Sequence, residues 1–312
     1  MGIFVFLPLV LPLTAWPVAR LAAHRLPPRT ATRLLTAVAA VMATCSTVCL
    51  ALLMVVGTAQ LPGNPLPDSW SDPEVRAAVP QDEIAGAVAI PALLSVVVAC
   101  ARTLWRHAAL RRRAHRALAG LPGTEAVVLP DARPYAYALP ASRTGRGRIV
   151  VSTALLGHLR PAERRAVFAH ERAHLAARHH RHLLTVRLAA RANPFLRPLS
   201  SAVAYTAERW ADEEAAERVG DRTVVARAIG KVALSGGSVR EPVFAALAAP
   251  GPVPRRVAAL LAPPLRAPGR SMAFTGVGLA AWTAAAGAVT SAAASANSAL
   301  TLAAVLHAAT PV

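Results

Sequence analysis

From Leu34 to Leu61 the chain carries no charged side chain. Wound as an α-helix, such a run would be about 40 Å long, more than the hydrocarbon core of a bilayer requires. In water, a helix that is apolar all round must be buried on every side. This run therefore constrains the fold more than any other feature and points to a membrane. Gly2–Ala19, Ile84–Leu104 and the stretch from Met272 onward are similarly apolar, and mean hydropathy over the chain is +0.42. The fold class expected is a mainly α membrane protein with about four transmembrane helices. Pro8, Pro12 and Pro17 weaken the first of them. The last should cross near Ala273–Ala296 and then trail off. A large soluble α-protein is the alternative, but charge-free runs of this length are rare in soluble cores.

The net charge is +18, and Lys231 is the single lysine. The arginines flank apolar runs rather than aromatic platforms, so no direct nucleic-acid binding is expected. Arg20, Arg25, Arg29 and Arg33 separate the first two runs, and Arg102, Arg106, Arg111, Arg112, Arg113 and Arg116 lie at and beyond the end of the third. The loop between, Pro62–Glu83, holds Asp68, Asp72, Glu74, Asp82 and Glu83 against Arg76 alone. The arginine bias predicts a multi-pass protein of the cell membrane whose first loop, and everything after the third span, is cytoplasmic. Both termini would then be extracytoplasmic. Residues 1–120 would hold three spans with their loops, 121–270 a cytosolic domain, and 271–312 the fourth span with a short tail. Cys45, Cys49 and Cys100 all sit in apolar runs, where they act as small hydrophobes.

After Pro122 the pattern changes. EAVVL (Glu125–Leu129), YAYAL (Tyr135–Leu139) and RIVV (Arg148–Val151) read as short strands separated by Pro130, Asp131, Pro134 and the turn SRTGRGR. Ser152 suits the cap of a short helical turn. Pro161 then fits a first helical position, with Glu163 in the first turn, and one helix is predicted to run to about Arg191 before Asn193-Pro194. A second is predicted over Pro198–Val219, ending at Gly220, and a third over Arg222–Leu234, capped by Asp221. The Pro- and Ala-rich segment beyond reads as a linker back to the membrane.

The first of these helices contains His170-Glu171-Arg172-Ala173-His174, the HExxH pattern. At a spacing of four residues, two imidazoles lie about 40° apart around the axis and about 6 Å along it, so both can face one ion. Glu171 lies about 100° round from His170. It is placed to hold a water and take its proton rather than to bind the metal.

A third ligand has two candidates. His180 lies six residues past His174, but Ala176, Ala177 and Arg178 between them are helix formers, and in a continuous helix His180 points away. Glu208, in AERWADEEA, shares a helix face with Asp212. It would complete a His₂Glu site with one position open, and Asp212 would hydrogen-bond a ligand imidazole. The bland alternative is an acidic solvated face formed by Glu208, Asp212, Glu213, Glu214 and Glu217. His179, His180 and His182 are read as a basic face near the membrane. His179, Tyr205 and Arg209 are the candidates for an oxyanion donor, and the strand over Tyr135–Leu139 for the edge to which a peptide adds.

HExxH followed by ERWAD on the next helix resembles the membrane gluzincin peptidases, over about Leu121–Leu234. Two related groups are similar: the BlaR/MecR-type signal transducers, and the HtpX-like and prenyl-protein endopeptidases. A core between a third and a fourth span resembles the BlaR/MecR arrangement more closely, but the chain ends without that family's penicillin-binding sensor domain. The resemblance implies an α+β zincin-like metallopeptidase domain with one Zn²⁺ per chain, held by His170, His174 and Glu208. It also implies Glu171 as the catalytic carboxylate and Asp212 behind a ligand. The partners implied are the lipid bilayer and a protein or peptide substrate, such as a transcriptional repressor in regulated proteolysis, or misfolded membrane proteins in quality control. A receptor or scaffold that keeps the fold without catalysis is the rival from another class.

Overall fold

A computed structural model describes residues 2–59, 66, 67, 70, 82–121, 124–142, 146–235, 253–263 and 276–309. The acidic loop expected over Pro62–Glu83 and the centre of the SRTGRGR turn lie largely outside the described residues.

The first apolar stretch is not one helix. It is divided into 3₁₀ turns at Gly2–Val5 and Leu11–Thr14 and α-helices α1 (Leu7–Val10) and α2 (Ala15–Arg25). The prolines are the cause. Pro12 has no N–H to give the carbonyl of Pro8, so the helical ladder lapses there. Ser46 fills the vacancy by donating to that carbonyl at 2.7 Å. Asn193 in turn donates to Ser46 Oγ at 3.0 Å and to the Leu9 carbonyl at 3.3 Å.

Among the described residues three helices are long and apolar enough to cross a membrane. They belong to α3 (Pro28–Ala59), α4 (Asp82–Ala117) and, after the domain helices below, α11 (Gly276–Ala309). The last is unbroken to Ala309 and does not trail off near Ala296, because nothing in its Ala-rich sequence interrupts a helix. On α3 the buried face runs through Leu35, Val38, Met42, Cys49, Leu53 and Val56, at helical spacing, while Val41 and Val48 face outward. Its far end meets α4 backbone to backbone: a Cβ on Gly57 would lie 2.3 Å from the Cα of Gly86.

Strands β1 (Ala126–Leu129), β2 (Ala136–Leu139) and β3 (Arg148–Ser152) form a sheet in the order β1-β3-β2. β1 runs parallel to β3, and β2 runs antiparallel to it with Ala138 opposite Ile149. β2 thus forms an edge. Ser152 ends β3 and caps α5 (Thr153–His158) by accepting from the Leu155 N–H.

Helix α6 (Pro161–Ala176) starts as its sequence predicts, with Pro161 first and Glu163 accepting from the Arg160 N–H and from Lys231 Nζ. It does not reach Arg191. Arg178 takes a left-handed conformation at φ 53°, and α7 (His179–Ala192) begins anew. No glycine announces this break, and its cost of about 1 kcal/mol or more is offset by what it buries. Helix α8 (Arg197–Val219) ends at Gly220, φ 75°, and Asp221 caps α9 (Arg222–Ser235) by accepting from Thr223 and Val224 N–H groups. The segment read as a linker contains a docked helix, α10 (Val253–Leu261), whose last carbonyls, at Ala259 and Leu260, accept from Arg222.

Helix α2, the candidate span α3 and the site helices share one apolar core. Val18 and Ala22 of α2, Leu35 and Met42 of α3, Val186 of α7, and Leu199 and Val203 of α8 belong to the same cluster. Helix α3 lies against both α7 and α8, and α6 packs along α8.

Candidate metal centre

Helix α6 contributes His170, Glu171 and His174, and the packed α8 contributes Glu208 and Asp212. The two imidazoles converge with Nε2 atoms 3.1 Å apart, and Glu208 reaches them at 3.6 Å (His170) and 3.4 Å (His174). Ligands held about 2.0–2.1 Å from a tetrahedral zinc ion lie about 3.3 Å from one another. Glu208 approaches His170 through Oε2 and His174 through Oε1, and one ligand atom from each of the three residues lies within 4.8 Å of the others, a grouping that could hold a divalent cation. His180, the other candidate third ligand, lies elsewhere. Arg111 and His107 of α4 are among its charged neighbours, and burial first, then these cations, lower its pKa to about 4.

Each imidazole is also held from behind. His170 Nδ1 lies 3.0 Å from Asp212 Oδ1. His174 Nδ1 lies 2.8 Å from Nδ1 of His179. The left-handed turn at Arg178 is what delivers His179, one residue before His180, which the sequence reading rejects as a ligand. His179 is therefore not part of a basic face: it is fully buried, its ring edge-on to His174 at 4.8 Å and to Trp210 at 4.7 Å. Trp210 in turn lies under the guanidinium groups of Arg29 and Arg33 on α3. The Thr32 hydroxyl donates to Thr206 at 2.9 Å, and His182 Nδ1 meets Thr36 Oγ1 at 3.2 Å. Helix α3, a candidate membrane span, thus forms one wall of the site.

Arg256, which comes from α10, has no local signal that marks it out. Its guanidinium lies 2.8 Å from Glu208 Oε2 and makes two hydrogen bonds to Asp212. Among 34 basic side chains nothing in VPRRVAALL singles out this one. The oxyanion candidates are placed as follows. Arg209 pairs with Glu213 at 3.0 Å, Tyr205 has its ring near His24, and His179 stands behind His174.

The electrostatics suit a cation. Burial alone would raise the pKa of Glu208, but Arg256 and the two imidazoles pull it well below the usual carboxylate range. Burial lowers His174 to about 4, leaving its lone pair free. Burial would lower His170 as well, yet Asp212 and Glu208 together raise it to about 10. Positive charge is drawn to that point, and a divalent cation can supply it in place of a proton. Glu171 is raised to about 7, first by burial; His170 opposes the shift and Glu208 adds to it. The backbone of Ala138 on edge strand β2 acts in the opposite direction and lowers it.

Residues 101–191 match Peptidase family M48, a range that runs from within α4 to within α7 and contains the whole HExxH segment. The match supports a metallopeptidase of that family. Glu208, Asp212 and Arg256 lie beyond it. No curated protein and no solved structure matches the chain.

Proposed function

We propose that this chain is a membrane-embedded zinc endopeptidase that hydrolyses peptide bonds of protein substrates at the cytosolic face. The observation that carries this reading is the grouping of one ligand atom each from His170, His174 and Glu208 within 4.8 Å of one another, with Glu171 next to His170 in the chain. A zinc ion held by these three side chains supplies Lewis acidity toward the scissile carbonyl and the attacking water. Glu171, with a pKa of about 7, accepts a proton from the water and delivers it to the departing amine nitrogen. Asp212 and Arg256 fix the orientation of His170 and Glu208. An extended substrate adds to β2, whose edge lies next to Glu171, through main-chain hydrogen bonds. The arginine-rich end of α3 beside the site supports a cytosolic location.

Thr32 and Thr36 flank the start of the charge-free run of α3, and both touch the helices of the site. The centre is therefore level with the membrane boundary, which favours membrane-anchored substrates cut near the bilayer. Regulated cleavage of a soluble repressor in the BlaR/MecR manner is the second reading. Both are tested with the detergent-purified full chain, His170→Ala and Glu208→Ala, by metal analysis and by cleavage of a single-span membrane protein and a soluble unfolded protein. The expected result is one zinc per chain in wild type alone, with the anchored substrate cut faster. Wild type without zinc, or undiminished cleavage by Glu208→Ala, overturns the assignment.

A further inference from the structure

We infer that His179 is a positioning residue that sets the tautomer of His174 and so its capacity to bind the metal. The inference rests on the zinc-site reading above. His174 turns Nε2 toward His170 and Glu208, and for that nitrogen to offer a lone pair the ring's proton must sit on Nδ1. The atom facing Nδ1 is His179 Nδ1, 2.8 Å away. With the metal bound, His174 donates and His179 accepts. The reverse arrangement puts the His174 proton on Nε2, where it blocks ligation.

A further observation supports the assignment. Once Nδ1 accepts, the proton of His179 lies on Nε2, and that buried atom has no hydrogen-bond partner among the described residues. An apolar side chain would fill the space between His174 and Trp210 without leaving such a group unsatisfied. Packing alone does not account for a histidine here; an acceptor aimed at His174 does. The two ligand imidazoles are thus held by different chemistry, His170 by the Asp212 carboxylate and His174 by another imidazole.

The test is zinc affinity of the full chain in detergent, measured by competition with a chelator. His179→Phe keeps a ring against Trp210 and removes the acceptor, and should bind zinc about 10–100-fold more weakly. His179→Asn restores an acceptor through its amide oxygen and should stay within a few-fold of wild type. His179→Met serves if the phenylalanine variant does not fold. Thermal unfolding of the metal-free proteins should be similar across the series. Wild-type affinity in His179→Phe, equal losses in His179→Phe and His179→Asn, or failure of every apolar variant to fold would each overturn the role. Wild type that binds no zinc refutes the zinc-site reading itself. A wild type that binds zinc beside an equally tight His179→Phe refutes only this inference.

Discussion

Arg256 grips Asp212 through both carboxylate oxygens, Nε to Oδ2 at 2.8 Å and Nη2 to Oδ1 at 2.6 Å, while its remaining nitrogen faces Glu208. One buried cation therefore compensates two buried carboxylates. Removing it leaves the two carboxylates to share His170. Arg256→Met should destabilise the metal-free protein by about 3–5 kcal/mol. Added zinc should recover more stability in the variant than in wild type, since the metal brings positive charge to the same carboxylates. Thermal unfolding with and without zinc measures both effects.

Glu171 follows His170 in the chain and is not one of the three grouped ligand residues. Glu171→Gln keeps the shape and loses the base. Zinc content should stay at one per chain while cleavage falls by about 10²–10⁴-fold. Proteolysis retained in that variant would discredit the mechanism.

Glu163 at the start of α6 gives the protein an acid-sensitive anchor. Burial raises its pKa, but Lys231 and the Arg160 N–H outweigh burial and leave it below the usual value. A group with a depressed folded pKa stabilises fully above its unfolded pKa, about 4.5, and loses that contribution as pH falls through the folded value. In Lys231→Met the buried carboxyl lacks its cation, so its pKa rises and protonation favours the fold. Acidification from pH 7 to pH 4 should therefore lower the melting temperature of wild type more than that of Lys231→Met.

The contact between Gly57 and Gly86 leaves no room for a side chain on either helix. Gly57→Ala should force α3 and α4 apart and cost about 1–3 kcal/mol. Gly230 lies inside α9 with open space around its Cβ direction. Gly230→Ala should be neutral or stabilising by about 0.5–1 kcal/mol. Denaturation of the two variants side by side separates close packing from helix propensity.

Where the structure follows local chemistry, it could be read from residues. Pro161 and Glu163 announce the start of α6, Gly220 its counterpart at the end of α8, and Asp221 the cap of α9. The spacing of His170 and His174, and of Glu208 and Asp212, shows which side chains share a face. Features set by tertiary contacts were hidden. A run of alanine and arginine at 176–178 looks helical, and only the burial of His179 against Trp210 explains the turn there. Arg256 acquires its meaning from Asp212, 44 positions away, and α10 looks like linker until its partners are known. The prolines did warn that the first apolar stretch would be irregular, but not that Ser46 and Asn193 would repair it.

The hydroxyl bond between Thr32 and Thr206 ties α3, a candidate membrane span, to α8 two residues from Glu208, a proposed metal ligand. Excised as a water-soluble fragment, residues 121–270 would lose the surface that shields Val186, Leu199 and Val203. The arginine pair above Trp210 would go as well. On the proposed function, lipid immersion is a condition of having an intact hydrolytic apparatus, and not merely an address for it.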